Sequence, residues 1–171
     1  MRIGIYSPNW IGDSVIALTF VQSIRAFESD AEIFIVCKEW VAGVYQEHPA
    51  IDGVLSFSSI QISGLANIYK MGSSLKKYNF DKFFTLTDSF RSAFILWLSS
   101  ARKRYGYSTQ FRSIFLTNPM IISKENIHRS EKYSRLIQTD SMSAEYPQIH
   151  LLEKEYEWAR NEIKKLGFNN P

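Results

Sequence analysis

The sequence predicts an α/β domain, a Rossmann-like parallel sheet with helices on both faces. Three observations predict it. Short runs rich in β-branched and aromatic residues recur up to Tyr107. Each is followed by a segment whose apolar residues repeat at helical spacing, and Gly, Pro, Ser and Asn gather in the joints. Strand and helix signals in alternation are the pattern of βαβ units, whose crossovers are right-handed.

Arg2 to Tyr6 is a buried-type strand stopped by Ser7-Pro8-Asn9. Beyond Gly12, the apolar residues Ile16, Phe20, Ile24 and Phe27 share one helix face. Glu32 to Cys37 is a second strand, and Trp40, Val41, Val44 and Tyr45 form a shorter helical face closed by His48-Pro49. Gly53 to Phe57 is a third strand, Ser58 to Gly64 a polar loop, and Leu65 to Lys77 a third helix. Lys82 to Leu86 and Ser89 to Ser99 give a fourth strand and helix, and Arg104 to Tyr107 a fifth strand. From Tyr107 to Asn118 the pattern fades into loop. His128 to Gln138 reads as helix, and Thr139 to Gln148 as a polar connection. In the last helix Leu152, Tyr156, Ala159, Ile163 and Leu166 face one way, with Gly167 placed to end it.

At 171 residues the chain fits one domain. With 45% hydrophobic and 22% charged residues it is an ordinary globular composition, which excludes wholesale disorder. A net charge of +3 is too small to point to nucleic acid, but suits an acidic ligand or an anionic membrane surface. No apolar run reaches the length of a bilayer span, so a cytoplasmic protein is expected, with peripheral membrane contact left open. The single cysteine, Cys37, lies in an apolar run and reads as a buried thiol. Three scattered histidines lack ligand spacing, so no metal is expected.

In parallel α/β sheets the functional site lies at the carboxyl ends of the strands. Asp13 stands just past the first strand. By residue type alone it reads first as a helix cap, and only second as a proton acceptor. A helix N-terminus favours its charged form, and Trp10 and Ile11 would offset that by desolvation. Gly12 reads as a tight turn or a close backbone approach. Ser89 is a cap candidate for the fourth helix, and Arg91 in its first turn suits an anionic group. Arg102, Lys103, Arg104 and Arg112 form a basic set among Tyr105, Tyr107 and Phe111, read as a solvated edge or a contact for anionic headgroups. FILWL, Phe94 to Leu98, is a buried helix face. Lys124, Arg129, Lys132 and Arg135 read as a solvated helix face, with Tyr133, Leu136 and Ile137 turned to the core.

The opening RIGIYSPNWIGDSVIALTFVQSIRAF resembles the bacterial heptosyltransferases of glycosyltransferase family 9, on the side of the type II enzymes. Its Gly12-Asp13 pair matches the family's strand, loop, Gly-Asp and helix. The stretch TLTDSFRSAFILWLSSARKRYGYSTQFRSIFLTN is similar to the family's Asn-Ser-Phe-Lys/Arg-Ser helix and the glycine-containing loop after it. Ser89, Phe90, Arg91 and Ser92 match there, as do Arg112 and Asn118. Asp88 stands where the family has Asn, and Ser108, Thr109 and Gln110 replace charged loop residues.

The resemblance implies the N-terminal half of a two-lobed GT-B glycosyltransferase. Residues 1–150 would be the acceptor-binding domain, and residues 151–171 a linker helix towards a C-terminal donor-binding domain. It implies heptose transfer from ADP-heptose, with inversion, to the lipopolysaccharide core, a phosphorylated sugar on lipid A. Asp13 would be the general base. Asn9, Trp10, Gly12, Ser89, Arg91, Ser92 and Arg112 would contact the acceptor. No cofactor is implied. The alternative is a non-catalytic Rossmann-like domain that binds a sugar or a partner protein.

Overall fold

The computed structural model describes residues 1–121, 127–137 and 146–167. Six strands form one sheet: β1 (Arg2–Tyr6), β2 (Glu32–Lys38), β3 (Gly53–Phe57), β4 (Lys82–Thr85), β5 (Lys103–Tyr107) and β6 (Asn118–Met120). Their order is β3-β2-β1-β4-β5-β6 and every pairing is parallel. The α-helices are α1 (Ile11–Phe27), α2 (Gly64–Ser74), α3 (Phe90–Leu98), α4 (Arg129–Arg135) and α5 (Glu153–Lys165).

Strand alternation splits the core into two layers. Ile3, Ile5, Ile33, Ile35 and Phe84 face α1 and α4, packing on Leu18, Phe20, Ile24, Tyr133 and Leu136. Tyr6, Val36 and Phe83 face α2 and α3, packing on Ile68, Met71, Ile95 and Leu96. Near-continuous apolar strands follow from burial on both faces. The two helices of the second layer meet closely at Gly72, where a Cβ would stand 2.7 Å from the Leu98 Cβ.

The α/β expectation holds, with four differences. Segment 107–118 is not merely loop, because it delivers β6. Three residues of strand with proline at their centre carry little periodic signal. The helical face at Trp40 to Tyr45 is a 3-10 turn, Glu39–Val44, and the third helix closes in another, Leu75–Tyr78. The basic set at 102–112 is dispersed by strand geometry. Arg102 pairs with Asp81 at 3.1 Å, Arg104 donates to the Ala101 and Phe115 carbonyls, and Arg112 is buried at the other end of β5. Within FILWL, Trp97 is half exposed and stacks on Phe94.

The last helix forms as predicted, and Gly167 takes φ +87° at its end. None of its residues is buried, and Tyr156, Trp158 and Leu166 stay exposed. Lys124, the end of the helix expected to reach Gln138, most of the Thr139–Gln148 connection and residues 168–171 lie outside the described residues. Among the described residues no helix is long and apolar enough to cross a membrane.

Cys37 is buried, and burial pushes its thiol up to about 12, so it is an inert core group at neutral pH. His48 is buried, accepts the Ala50 amide N–H at Nδ1 (3.1 Å) and meets His150 edge to face at 4.8 Å. Burial first, then the neighbouring His150, push its pKa down to about 4. The unfolded chain therefore takes up a proton near pH 6.5 that the fold refuses until about pH 4. Stability from this group is complete above pH 6.5 and is lost as pH falls towards 4, by about 1–3 kcal/mol. Urea titrations between pH 7 and 4 should show this slope. His48→Gln should flatten it.

Candidate active site

Sheet order reverses between β1 and β4, which is where such sheets open a crevice at their carboxyl ends. A cleft of about 180 Å³ lies there. Its walls are Pro8, Asn9, Trp10 and Asp13 after β1, Leu86, Thr87 and Asp88 after β4, and Arg129, Lys132 and Tyr133 from α4.

Asp13 sits in the first turn of α1. The helix begins after Trp10, whose side chain makes no capping bond, and Asp13 does not cap it either. Its carboxylate reaches across the cleft and accepts from Arg129 Nη1 at 2.9 Å. The Asp13 side chain keeps 22% of its exposure. This leaves a carboxylate within reach of a ligand and disposes of the cap reading.

The floor beneath the loop is polar and closed. Ser7 Oγ lies 2.6 Å from Tyr45 Oη and donates to the Pro8 carbonyl at 2.9 Å. Ser7, Ser14 and Tyr45 are all buried, and burial drives the Tyr45 phenol well above its usual range. These bonds fix the path of residues 7–14 and hence the aim of Asp13.

The other expected contacts divide into two groups. Asn9, Trp10, Gly12 and Arg91 are accessible to a ligand. Trp10 is 75% exposed, and Trp40 Nε1 donates to the Asn9 carbonyl at 2.9 Å. Gly12 needs correction: it is an ordinary helical residue, without positive φ and with open space where a Cβ would stand. Neither a tight turn nor a close approach requires the glycine, and a side chain there would meet open space.

Ser89, Ser92 and Arg112 serve the protein instead. Ser89 Oγ caps α3 by accepting the Ser92 amide at 3.2 Å. Ser92 is fully buried and donates its hydroxyl to the Ser89 carbonyl at 2.8 Å. Arg112 is fully buried as well. It donates to the carbonyls of Tyr107 (2.7 Å), Thr87 and Ser89 (3.2 Å), to Ser92 Oγ (3.3 Å), and reaches Asp88 Oδ1 at 3.5 Å. With its donors spent inside, the guanidinium has no face for an acceptor. Its physical task is to tie the loops after β4 and β5 together.

Three residues that sequence reasoning placed elsewhere line the cleft. Arg129 and Lys132, read as a solvated face, reach Asp13 and Asp88 respectively. Tyr133 is buried as expected, yet its ring is part of the cleft wall and burial raises its phenol to about 12. A three-residue spacing puts Arg129 and Lys132 on one helix face. Nothing local says that this face crosses the end of α1. Asp88 departs from the family pattern in the sequence, and the fold gives it two cations, Lys132 and Arg112.

The doubly wound parallel sheet, with carboxylates lining the crevice at its reversal point, is a Rossmann-like α/β lobe. The family model for glycosyltransferase family 9 (heptosyltransferase) matches residues 68–168, and the chain belongs to that family. It is 24% identical over 129 residues to lipopolysaccharide heptosyltransferase 2 of Escherichia coli K12, covering 73% of this chain and 36% of that protein. Against lipooligosaccharide heptosyltransferase 2 of Haemophilus influenzae it is 25% identical, covering 80% and 39%. The solved ADP-heptose lipopolysaccharide heptosyltransferase II of E. coli superposes with a TM-score of 0.80 at 21% identity, covering 95% of this chain and 50% of that one. A family 9 glycosyl transferase from Veillonella parvula gives 0.86 at 18% identity, covering 99% and 50%. The chain thus spans little more than a third of the curated relatives it matches, and half of the solved ones.

Proposed function

We propose that this chain is the acceptor-side, N-terminal lobe of an inverting transferase that moves heptose from ADP-heptose to the lipopolysaccharide inner core. One observation carries the reading. Asp13, free of any capping role, projects its carboxylate into the cleft at the sheet's reversal point. The acceptor's hydroxyl would hydrogen-bond to an Asp13 oxygen. As that hydroxyl oxygen bonds to the anomeric carbon of the donor, its proton passes to the carboxylate and the bond to the ADP phosphate oxygen breaks. Attack opposite the leaving group inverts the centre. Arg91, Asn9 and Trp10 would hold the acceptor.

The donor is assigned to a second lobe. Residues 1–150 would form the acceptor domain, and α5, where Tyr156, Trp158 and Leu166 stay exposed, would start the linker at residues 151–171. The reaction belongs on the cytoplasmic face of the inner membrane, with peripheral contact to it.

Most of the rate in such a transfer comes from holding two substrates in line. The isolated chain should therefore release no ADP above background when given ADP-heptose and core acceptor, measured by coupled ADP detection. Steady multiple turnover by this chain alone would overturn the assignment of its half.

A further inference from the structure

The α2 and α3 side of the sheet is built from chain without a carboxylate. Residues 53–80 and 89–121 carry eight Lys and Arg and no Asp or Glu, although the whole chain has 20 of the one kind and 17 of the other. Some of that charge is spent, since Arg112 is buried and Arg102 pairs with Asp81. Lys70, Lys76 and Lys77 are exposed along α2 and its closing turn, and Arg91 is exposed at the start of α3.

The same side presents large apolar groups to solvent. Phe90, Phe94 and Trp97 recur at helical spacing on the outer face of α3. Phe115 joins them from the Arg112–Phe115 turn, its ring centre 5.1 Å from Phe90, 5.2 Å from Phe94 and 5.8 Å from Trp97. Phe90 and Trp97 are nearly half exposed, and in the same turn and just before it Ile114 is 75% and Phe111 93% exposed. Gln110 (φ +50°) and Phe111 (φ +57°) both hold the left-handed conformation, which is costly for a residue with a side chain. Gln110 Oε1 accepts the Phe90 amide at 3.3 Å, which fixes this loop over the start of α3. A backbone held at a cost to put phenylalanine into water points to an apolar phase that receives the ring.

We propose that the outer face of α2, α3 and the Arg112–Phe115 turn seats the chain on an anionic lipid surface, with Trp97, Phe111 and Ile114 entering the bilayer boundary. Apolar groups among cations, with no carboxylate between them, match that boundary: the side chains enter the acyl edge and the ammonium groups meet the phosphates. Nucleic acid would be met by stacking rings, but has no use for aliphatic Ile114 or, on α2, for Leu65 at 80% exposure. The face starts at Phe90, two residues from the cleft wall at Asp88, so a lipid-borne acceptor would enter the cleft from the membrane side. This deepens the membrane contact read above by giving it a face. It rests on that reading for which membrane is met, and the affinity for anionic lipid does not.

The test is sedimentation of the 171-residue chain with vesicles of phosphatidylglycerol and phosphatidylethanolamine. The chain should pellet with them, stay in solution with phosphatidylcholine vesicles, and be released as salt rises. Phe111→Ser and Trp97→Ser should each weaken binding by about tenfold, the worth of one ring withdrawn from an apolar phase. Lys76→Gln and Lys77→Gln should weaken it by about fivefold each. Phe111→Ser should keep the wild-type Tm, because the ring is almost fully exposed, so its effect is read free of folding. Trp158→Ser, which removes an exposed ring on α5, should change nothing. A wild-type chain that ignores anionic vesicles, or Phe111 and Trp97 variants that bind as tightly as wild type, would overturn the face. Binding of single-stranded DNA, or dimerisation lost in Phe111→Ser, in place of vesicle binding would give the face another occupant and overturn the lipid. Asp13→Asn should pellet like the wild type. Absence of vesicle binding would leave the role of Asp13 standing, and persistence of transfer in Asp13→Asn would sink that role and leave the face standing.

Discussion

On the proposed reading, Asp13→Asn in a protein that joins this lobe to a donor-binding lobe should cut kcat by about 10²–10⁴-fold, the usual worth of a positioned proton acceptor. That corresponds to about 3–5 kcal/mol added to the barrier. The substitution conserves size and still offers an oxygen to Arg129 Nη1, now 2.9 Å from the carboxylate, so the cleft keeps its shape. Acceptor affinity should change less than about threefold, because the lost function belongs to the transition state alone. Initial rates of ADP release, with acceptor titration in parallel, separate the two effects. A variant keeping more than a tenth of the wild-type rate would place the base elsewhere. Asp88 is then the carboxylate to replace, since it lines the same cleft and is engaged by Lys132 and Arg112.

Arg112→Met should be the most damaging single change to the fold, costing about 3–5 kcal/mol, because several buried acceptors lose their donor at once. The guanidinium is fully buried and bonds the carbonyls of Tyr107, Thr87 and Ser89 together with Ser92 Oγ. Methionine fills much of the volume and returns none of those hydrogen bonds. Asp88 also loses one of its two cations. Arg112→Lys should recover little, since one ammonium cannot span acceptors arranged for a planar fork. The urea midpoint, at unchanged slope, is the measure. A loss below about 1 kcal/mol would show that water replaces the guanidinium easily and that the loops do not depend on it. Activity should fall with stability here, because the same bonds hold the Leu86–Ser89 wall of the cleft.

The fold was readable where the signal is local. Ile3, Ile5, Ile33 and Ile35 stand in runs that only a sheet buried on both faces accommodates, and α1 shows its inner stripe at Ile16, Phe20 and Ile24. β6 was not readable, because its three residues pair with Tyr105, Gly106 and Tyr107 through backbone bonds that side-chain periodicity does not report. The site divides in the same way. Asp13 stood out because it follows the first strand and because the Gly-Asp pair resembles a known family. Arg112 matched the family as well, but its type and position could not say whether its five donors point outward or inward. Only the packing of Thr87, Ser89 and Tyr107 around it decides that. Arg129 and Lys132 looked like any charged helix face.

The sequence by itself determined the βα alternation, the two-faced core and the position of a carboxylate at the mouth of the sheet, all of which depend on neighbours a few residues away. Tertiary structure alone decided which charges meet. Arg129 finds Asp13 across 116 positions, and Lys132 finds Asp88 across 44. The reason is physical: a charge interacts through space with whatever the folded chain brings near it, and that proximity is set by the crossing of α4 over α1 rather than by any local pattern.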